Sequence, residues 1–410
     1  MTRCRALIVF ILSCITGTMY AMVYDNRYLP LFQLPYVTLT GCNSYFTTSA
    51  FVVSAGKFFE RADKEIGLPE VWGTYDQAKL AYAIETTGKP NLLLPKWRND
   101  DLPWVMQGKM QGQGMTISFQ KAIANHFILG FNTFFMRLNA RTIFAFDSTL
   151  GNTINEAGNR QELDVIRREM NNQLGLNAGY ISQAGFGDFD LYIGAYNEWE
   201  YVSKFKQIYT DFRFGVLAPM GVRQDMNLLG SIPFGGDGHW GIYVSNWSEF
   251  EVKEDWKVGF LLRVSRRFQR TSISRMPVKG EPITFGATCG LLKVDPAPTV
   301  IFAPYIAFEN LREGFGARVV YTLRHHSKDY WCDARKEPNA IPVDLTAAQD
   351  QTAWNSDYFT LEAFYDFGKI KIERSLEPVL YLAWDVPSAM LATKRVAKTQ
   401  RISLGIQLTF

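Results

Sequence analysis

Between positions 400 and 410, Ile402, Leu404, Ile406, Leu408 and Phe410 share one parity, while Arg401, Ser403, Gly405, Gln407 and Thr409 share the other. A side-chain period of two belongs to an extended strand with one apolar and one polar face. The pattern recurs upstream. Phe359, Leu361, Ala363, Tyr365 and Phe367 alternate with Tyr358, Thr360, Glu362 and Asp366. Phe315, Ala317, Val319, Tyr321 and Leu323 alternate with Gly316, Arg318, Thr322 and Arg324. Val258, Phe260, Leu262, Val264 and Phe268 oppose Lys257, Gly259, Arg263, Ser265 and Arg267. Runs near 189–201, 212–218 and 370–384 behave alike, and less regular ones lie at 45–59, 104–119, 125–147, 240–252 and 299–310. A phase slip between Phe135 and Arg141 predicts a bulge. The count is about twelve, an even number, as an up-and-down sheet that starts and ends on the same side requires.

Connection lengths test that count independently. Long segments (60–103, 148–185, 220–239, 272–298, 328–355, 385–398) alternate with short ones (120–124, 202–203, 253–255, 311–313, 368–369). Strands that run up and down through a membrane, with short turns on one side and long loops on the other, require this parity. Helical stretches are predicted inside two long loops, at 74–86 and 161–172, the second with a thin apolar stripe of Leu163, Ile166 and Met170.

The first residues carry Arg3 and Arg5, an apolar run over 6–15, and Thr18-Met19-Tyr20-Ala21. That order reads as a signal peptide cleaved after Ala21, and the run is too short to cross a bilayer as a helix, which needs roughly 20 residues. Nothing after position 21 reads as a spanning helix, and in lipid only helices and closed barrels satisfy their backbone groups. Aromatic residues make up 14% of the chain, yet mean hydropathy is only −0.09, so apolar and polar residues are finely mixed. The expected organisation is a signal peptide over 1–21, an N-terminal periplasmic segment over 22–43, and an all-β, transmembrane antiparallel barrel over 44–410. A soluble periplasmic β-sandwich is the alternative, but its inward faces rarely hold so many charges and its loops show no length parity.

The signal peptide, the alternating strands and a last strand closing on Phe410 resemble the bacterial outer-membrane β-barrel proteins. The resemblance covers residues 44–410 as architecture and implies an outer-membrane location. It also implies that Ile406, Leu408 and Phe410 form the tag recognised by the barrel-assembly machinery. The lipid bilayer and lipopolysaccharide are the other implied partners.

If the apolar faces meet lipid, the charged faces line the interior. That places Arg213, Arg263, Arg267, Arg318, Arg324 and Arg401 in the lumen, together with Asp188, Asp190, Glu198, Glu200, Asp211, Glu362, Asp366, Glu373 and Glu377. A twelve-stranded barrel has a backbone diameter on the order of 20 Å, leaving roughly 8–10 Å after side chains. The expected function is passive diffusion of ions or small polar solutes, porin-like, unless these groups pair and plug the barrel. Trp104, Trp199, Tyr201, Trp240, Trp247, Trp256 and Trp384 suit interfacial girdles, and Tyr192, Tyr196, Tyr358 and Tyr381 fall on the polar face.

Other functions leave weaker marks. A phospholipase-like barrel enzyme needs a histidine beside a nucleophile or acid, and His239 with Ser245 is the one such pairing on offer; His325 and His326 read as a solvated rim. A hydrophobic-substrate transporter of the fatty-acid type usually carries an N-terminal plug; 22–43 is short for one, although loop 60–103 offers another. A surface adhesin would act through its long loops. Forty-three basic against 40 acidic residues, without a basic tract, argue against nucleic acid. No phosphate loop, nucleotide fingerprint or metal-ligand spacing is present, so no cofactor is expected. Cys42, Cys289 and Cys332 remain after the leader, and which of them pair, if any, stays open.

Overall fold

The computed structural model describes residues 26–29, 44–98, 100–124, 126–146, 157–177, 179–202, 204–281, 285–338, 340–369 and 377–410. Twelve long antiparallel strands form its wall: β1 Tyr45–Ala55, β2 Pro103–Ala124, β3 Phe127–Phe146, β4 Phe189–Glu200, β5 Gln207–Ala218 and β6 Gly241–Lys253, then β7 Trp256–Arg267, β8 Thr299–Arg312, β9 Phe315–His326, β10 Trp354–Asp366, β11 Glu377–Ser388 and β12 Gln400–Thr409. Each strand pairs with the next in sequence, and β1 also pairs with β12 from Tyr45↔Thr409 to Ser54↔Gln400, which closes the ring. Closure leaves no unpaired edge in the lipid.

Alternation sets the two surfaces. On β12 the even residues point outward, with Ile402 and Leu404 exposed, and Arg401, Ser403 and Gln407 are buried inside. The outer face continues round the barrel through residues such as Leu382, Leu361, Val319, Ile306, Leu262, Val244, Phe212, Ile193 and Leu129, all exposed. An apolar surface of this extent is stable only against lipid.

Inside the wall, a repeated glycine–aromatic pairing sets the packing. Phe51 faces Gly114, Tyr192 faces Gly130, Tyr243 faces Gly215, Tyr305 faces Gly259, Phe364 faces Gly316 and Tyr381 faces Gly405, each directly across two strands. A Cβ on Gly215 would lie 2.1 Å from the Tyr243 ring, so the missing side chain is what lets the ring lie against the wall.

The predicted bulge near 135–141 is absent. The register between β2 and β3 runs unbroken from Ala122↔Ile128 to Trp104↔Phe146. Ile128, Phe134, Met136 and Leu138 are buried on the inner face, while the outer face passes from Leu129 and Phe135 to Arg137 and Arg141. The apparent slip is a change of surroundings along one regular strand: the inner face is apolar where loops pack on it, and the outer face turns polar as the hairpin rises above the other strands.

The strand ends Ala124 and Phe127, Glu200 and Gln207, Lys253 and Trp256, Arg312 and Phe315, and Asp366 and Glu377 lie at one end with Tyr45 and Thr409, and the strand ends joined by long connections lie at the other. At the long-loop end, strand Tyr180–Phe186 extends the wall beside β3, and a separate three-stranded sheet forms from Arg270–Met276, Thr288–Asp295 and Tyr330–Asp333. Helix α1, Gln77–Thr86, is capped by Asp76, whose Oδ1 accepts from the backbone N–H groups of Ala78 and Lys79. Helix α2, Ala157–Leu174, buries Leu163 and Met170 of its thin stripe in a core shared with Leu80, Ile84, Trp104 and Phe285. Trp104 therefore belongs to this core and not to an interfacial girdle. Cys289 and Cys332 are free. Lys293 is the register partner of Cys332 and lies four residues along the strand from Cys289, on the order of 13 Å away, beyond disulfide reach. The proposed leader, Cys42 and Glu373 lie outside the described residues.

Candidate functional site

Of the charges assigned to the interior by parity, Arg263, Arg267, Arg318, Arg324, Arg401, Asp188, Asp190, Asp211 and Glu362 are buried and Arg213 half-buried, and most of these are paired; the side chains of Glu373 and Glu377 lie outside the described residues. Arg267 Nη1 lies 2.6 Å from Asp188 Oδ2, and Arg263 Nη1 lies 3.0 Å from Asp190 Oδ2; both pairs join β7 to the start of β4 across the interior. Arg213 pairs with Asp211 on its own strand, Arg318 with Glu362, and Arg401 with Asp385 at 2.5 Å. Asp385 carried the parity of Tyr381 and was not among the predicted residues. Nor were Lys257, Glu249 and Glu309, which form a second cluster nearer the short turns, Lys257 Nζ lying 3.3 Å from Glu249 and 2.8 Å from Glu309. Arg324 is buried in the wall, Glu198 half-buried and bonded to Gln207, and Asp366 half-buried at the short-turn end, where it accepts from Gly368. Glu200 is exposed.

The interior is packed, and this departs from a lumen roughly 8–10 Å wide. Arg263 and Arg267 are each 4% exposed, Arg318 3% and Asp188 0%. Guanidinium groups lining an open aqueous pore would be wet. Here they stack on aromatic rings, Arg263 3.4 Å from the Tyr243 ring and Arg213 4.7 Å from that of Tyr192. Trp247, expected at an interface, instead points inward and donates to the Tyr305 hydroxyl, which donates in turn to Glu249. Buried charges are costly unless paired and hydrogen-bonded; Arg213, Arg263 and Arg318 each donate to their paired carboxylate, and Asp188 accepts from Gly236 and Gly221 beside its pair.

Loops fill the end that parity could not describe. Residues 26–29, expected in the periplasm with the rest of 22–43, sit instead at the long-loop end, opposite Tyr45. Asn26 donates to the carbonyl of Pro233, Arg27 to that of Gln351, and Thr399 to that of Tyr28. Leu29 is fully buried among Phe51, Met110 and Phe134 of the inner wall, with Phe58, Leu68 and Val71 from loop 56–102 and Ile232 and Phe234 from loop 219–240. This one-sided apolar lining on β1–β3 had a sequence signal, the two apolar parities of 128–136, but the signal reads equally as a bulge.

Two of the cavities at this end border the N-terminal segment. The outer one, about 700 Å³, is walled by Ala140 and Thr142 of β3, by loop segments 68–72 and 223–232, and by the sheet strand at 272–275. The inner one, about 230 Å³, descends to Arg267, His239, Thr299 and His326. Tyr28, Trp72, Gln224, Asp237, Ser272, Ser274 and Trp331 border both, so the N-terminal segment and the Trp72–Trp331 pair, with centroids 6.1 Å apart, form the partition. Arg27 steadies it, its guanidinium 4.2 Å from the Trp72 ring.

His239 does not pair with the serine the sequence offered it. His239 Nδ1 is 2.8 Å from the carbonyl oxygen of Phe268, and among the described residues no hydrogen bond joins it to Ser245. Burial depresses its pKa below the usual 6.5, aided by nearby Arg267 and Arg270 and opposed by the Phe268 carbonyl and Asp237. His325 is exposed, as a rim residue would be, but His326 is buried, contacts Thr299 and Asp329, and stacks on Trp354.

A closed twelve-stranded wall, apolar outside and charged within, is the fold of bacterial outer-membrane β-barrels, and the outer membrane is this chain's location. No protein-family model and no curated protein sequence matches the chain. Among solved structures it is similar to an outer membrane channel from Pseudomonas putida F1, at 9% identity and a TM-score of 0.50, over 92% of this chain and 100% of that one. Lower similarity links it to the translocator domain of the autotransporter NalP from Neisseria meningitidis, at 9% identity and a TM-score of 0.36, over 91% and 90% of the two chains. The transport unit of the autotransporter AIDA-I from Escherichia coli stands at 8% and 0.36, over 93% and 94%. At 9% identity the likeness to the Pseudomonas putida channel is one of fold.

Proposed function

We propose that the protein is an outer-membrane channel, closed at rest, that takes up small solutes with an apolar body from the outer cavity. The observation that carries this reading is the stacking of the two cavities above a sealed, ion-paired interior. A solute leaving the outer cavity meets Tyr28, Trp72 and Trp331, then the smaller chamber, and then the buried Asp188–Arg267 pair. The outer cavity sets Trp72, Trp331, Ile232 and Phe285 beside charged and polar side chains, a lining suited to a solute with both an apolar body and a polar group. A permanently open porin-like pore for polar solutes fits less well, because its charged lining would be hydrated.

The test uses the purified full chain in planar bilayers and liposomes. Few or no spontaneous conductance steps are expected, with entry of naphthalene derivatives into liposomes faster than entry of sugars of similar mass. Trp331→Ala, which removes half of the aromatic partition, is expected to change that entry severalfold. Steady stepwise conductance in the unmodified protein, with equal entry of sugars, would overturn the closed-channel reading.

A further inference from the structure

The wall of the outer cavity carries two guanidinium groups that face one another. A Cβ built on Gly238 would lie 2.0 Å from Arg270 Nη1 and 2.8 Å from Arg223 Nε, so those nitrogens are within about 5 Å of each other. Gly238 has φ +84°, a conformation that side-chain-bearing residues rarely adopt, and its bare backbone leaves the space both groups approach. Arg270 donates 3.0 Å to the Asp237 carbonyl oxygen, and among the described residues neither guanidinium forms an ion pair with a carboxylate. The nearby acids are engaged with backbone: the Asp237 carboxylate accepts from Gln224 and that of Asp225 from Asn227. The neighbouring arginines differ, Arg266 pairing with Asp295 and Arg267 with Asp188.

We infer that Arg223 and Arg270 bind the anionic head of the transported solute, making its class an amphipathic organic anion such as an aryl carboxylate. This deepens the channel reading and rests on it. Two like charges held together repel, and a shared carboxylate relieves the repulsion through charge-assisted hydrogen bonds from both. The same cavity is bordered by Trp72, Trp331, Ile232 and Phe285, which contact an apolar body and offer nothing to a wholly polar anion. A neutral hydrocarbon would leave the guanidinium pair unused. A phosphate of lipopolysaccharide has the same head chemistry, but the arginines border a cavity among the loops above the barrel and not the lipid-facing wall.

Binding of 1-naphthoate and of neutral 1-naphthalenemethanol is measured by calorimetry on the full chain in nanodiscs, with empty nanodiscs as blank. The acid is expected to bind at least tenfold more tightly. Arg223→Gln with Arg270→Gln should reduce the acid to the alcohol's affinity and leave the alcohol unchanged, whereas the double Lys variant should keep most of the preference. Heat-modifiable electrophoretic mobility confirms that each variant is folded. Equal affinities in the unmodified protein, or a preference that survives the double Gln variant, would overturn the anion site and leave the channel standing. Binding of neither compound would overturn both. Displacement of naphthoate by lipopolysaccharide but not by soluble carboxylates would overturn the solute assignment in favour of a lipid headgroup.

Discussion

Asp188 is where the closed state is most open to a single substitution. Its side chain is fully buried and makes three contacts: the 2.6 Å pair with Arg267, a 2.6 Å hydrogen bond from the Gly236 N–H, and a 3.2 Å bond from the Gly221 N–H. The two glycines lie near opposite ends of loop 219–240, so one carboxylate anchors that loop to the wall at both. Asp188→Ala leaves Arg267 buried without its carboxylate, which costs about 3–5 kcal/mol when a buried pair loses one partner. The two backbone bonds to a charged acceptor overlap with that figure and are not added to it. At roughly 1.4 kcal/mol per factor of ten, the loop-released population rises by about a hundredfold to several thousandfold. The assay is single-channel recording in planar bilayers, with limited proteolysis of loop 219–240 on the same samples. Asp188→Ala is expected to show discrete openings and faster cleavage while keeping a heat-modifiable, folded barrel. Adding Arg267→Met removes the buried charge together with its bond to the His239 carbonyl, so it should recover barrel stability while loop 219–240 stays released. A folded Asp188→Ala protein as silent and as protease-resistant as the unmodified one would refute the argument that this ion pair holds the mouth shut.

Phe410→Asp should lower the amount of folded barrel in the outer membrane, because Phe410 lies on the outward parity of β12 with its ring 6.3 Å from that of Phe119; unchanged levels on heat-modifiability gels would remove the tag assignment. In a background with Cys42, Cys289 and Cys332 replaced by serine, a cysteine at exposed Lys336 should react with an impermeant thiol reagent on whole cells and one at Arg312 should not, and the reverse labelling would invert the topology. Because burial depresses the His239 pKa, its contribution to mouth stability is complete above 6.5 and is lost as pH falls through the lower folded value. Proteolysis of loop 219–240 should therefore accelerate on acidification, and His239→Phe should flatten that dependence; an unchanged acid response would assign it to another group.

The barrel was legible because its signal is local. Parity along 401–409 and 315–324 needs only neighbouring residues, and in a closed sheet the lipid-facing parity cannot drift from strand to strand without burying charge in hydrocarbon. The same rule delivered Arg263, Arg267, Arg318, Arg401, Asp188, Asp190 and Glu362 to the interior, where the structure has them. It misjudged Trp104 and Trp247 because an aromatic residue suits an interface and a core equally well. It missed Asp385 because the run before it is irregular, and Lys257 with Glu249 because neither residue announces a partner.

Pairing and occupancy belong to the tertiary structure. Parity states that Arg267 points inward, but whether it meets water or Asp188 depends on how the wall curves between β4 and β7. The N-terminal segment shows this most sharply: Asn26 meets a carbonyl 207 positions away, Arg27 one 324 away, and Tyr28 accepts from a hydroxyl 371 away. No periodicity encodes contacts at such separations, since each depends on the whole ring closing first. The amino-acid sequence alone thus determined a twelve-stranded wall and which face of each strand meets lipid. Whether that wall encloses a wet pore or a sealed interior beneath two stacked cavities was decided by long-range packing of residues 26–29, 68–72 and 219–240 into its mouth.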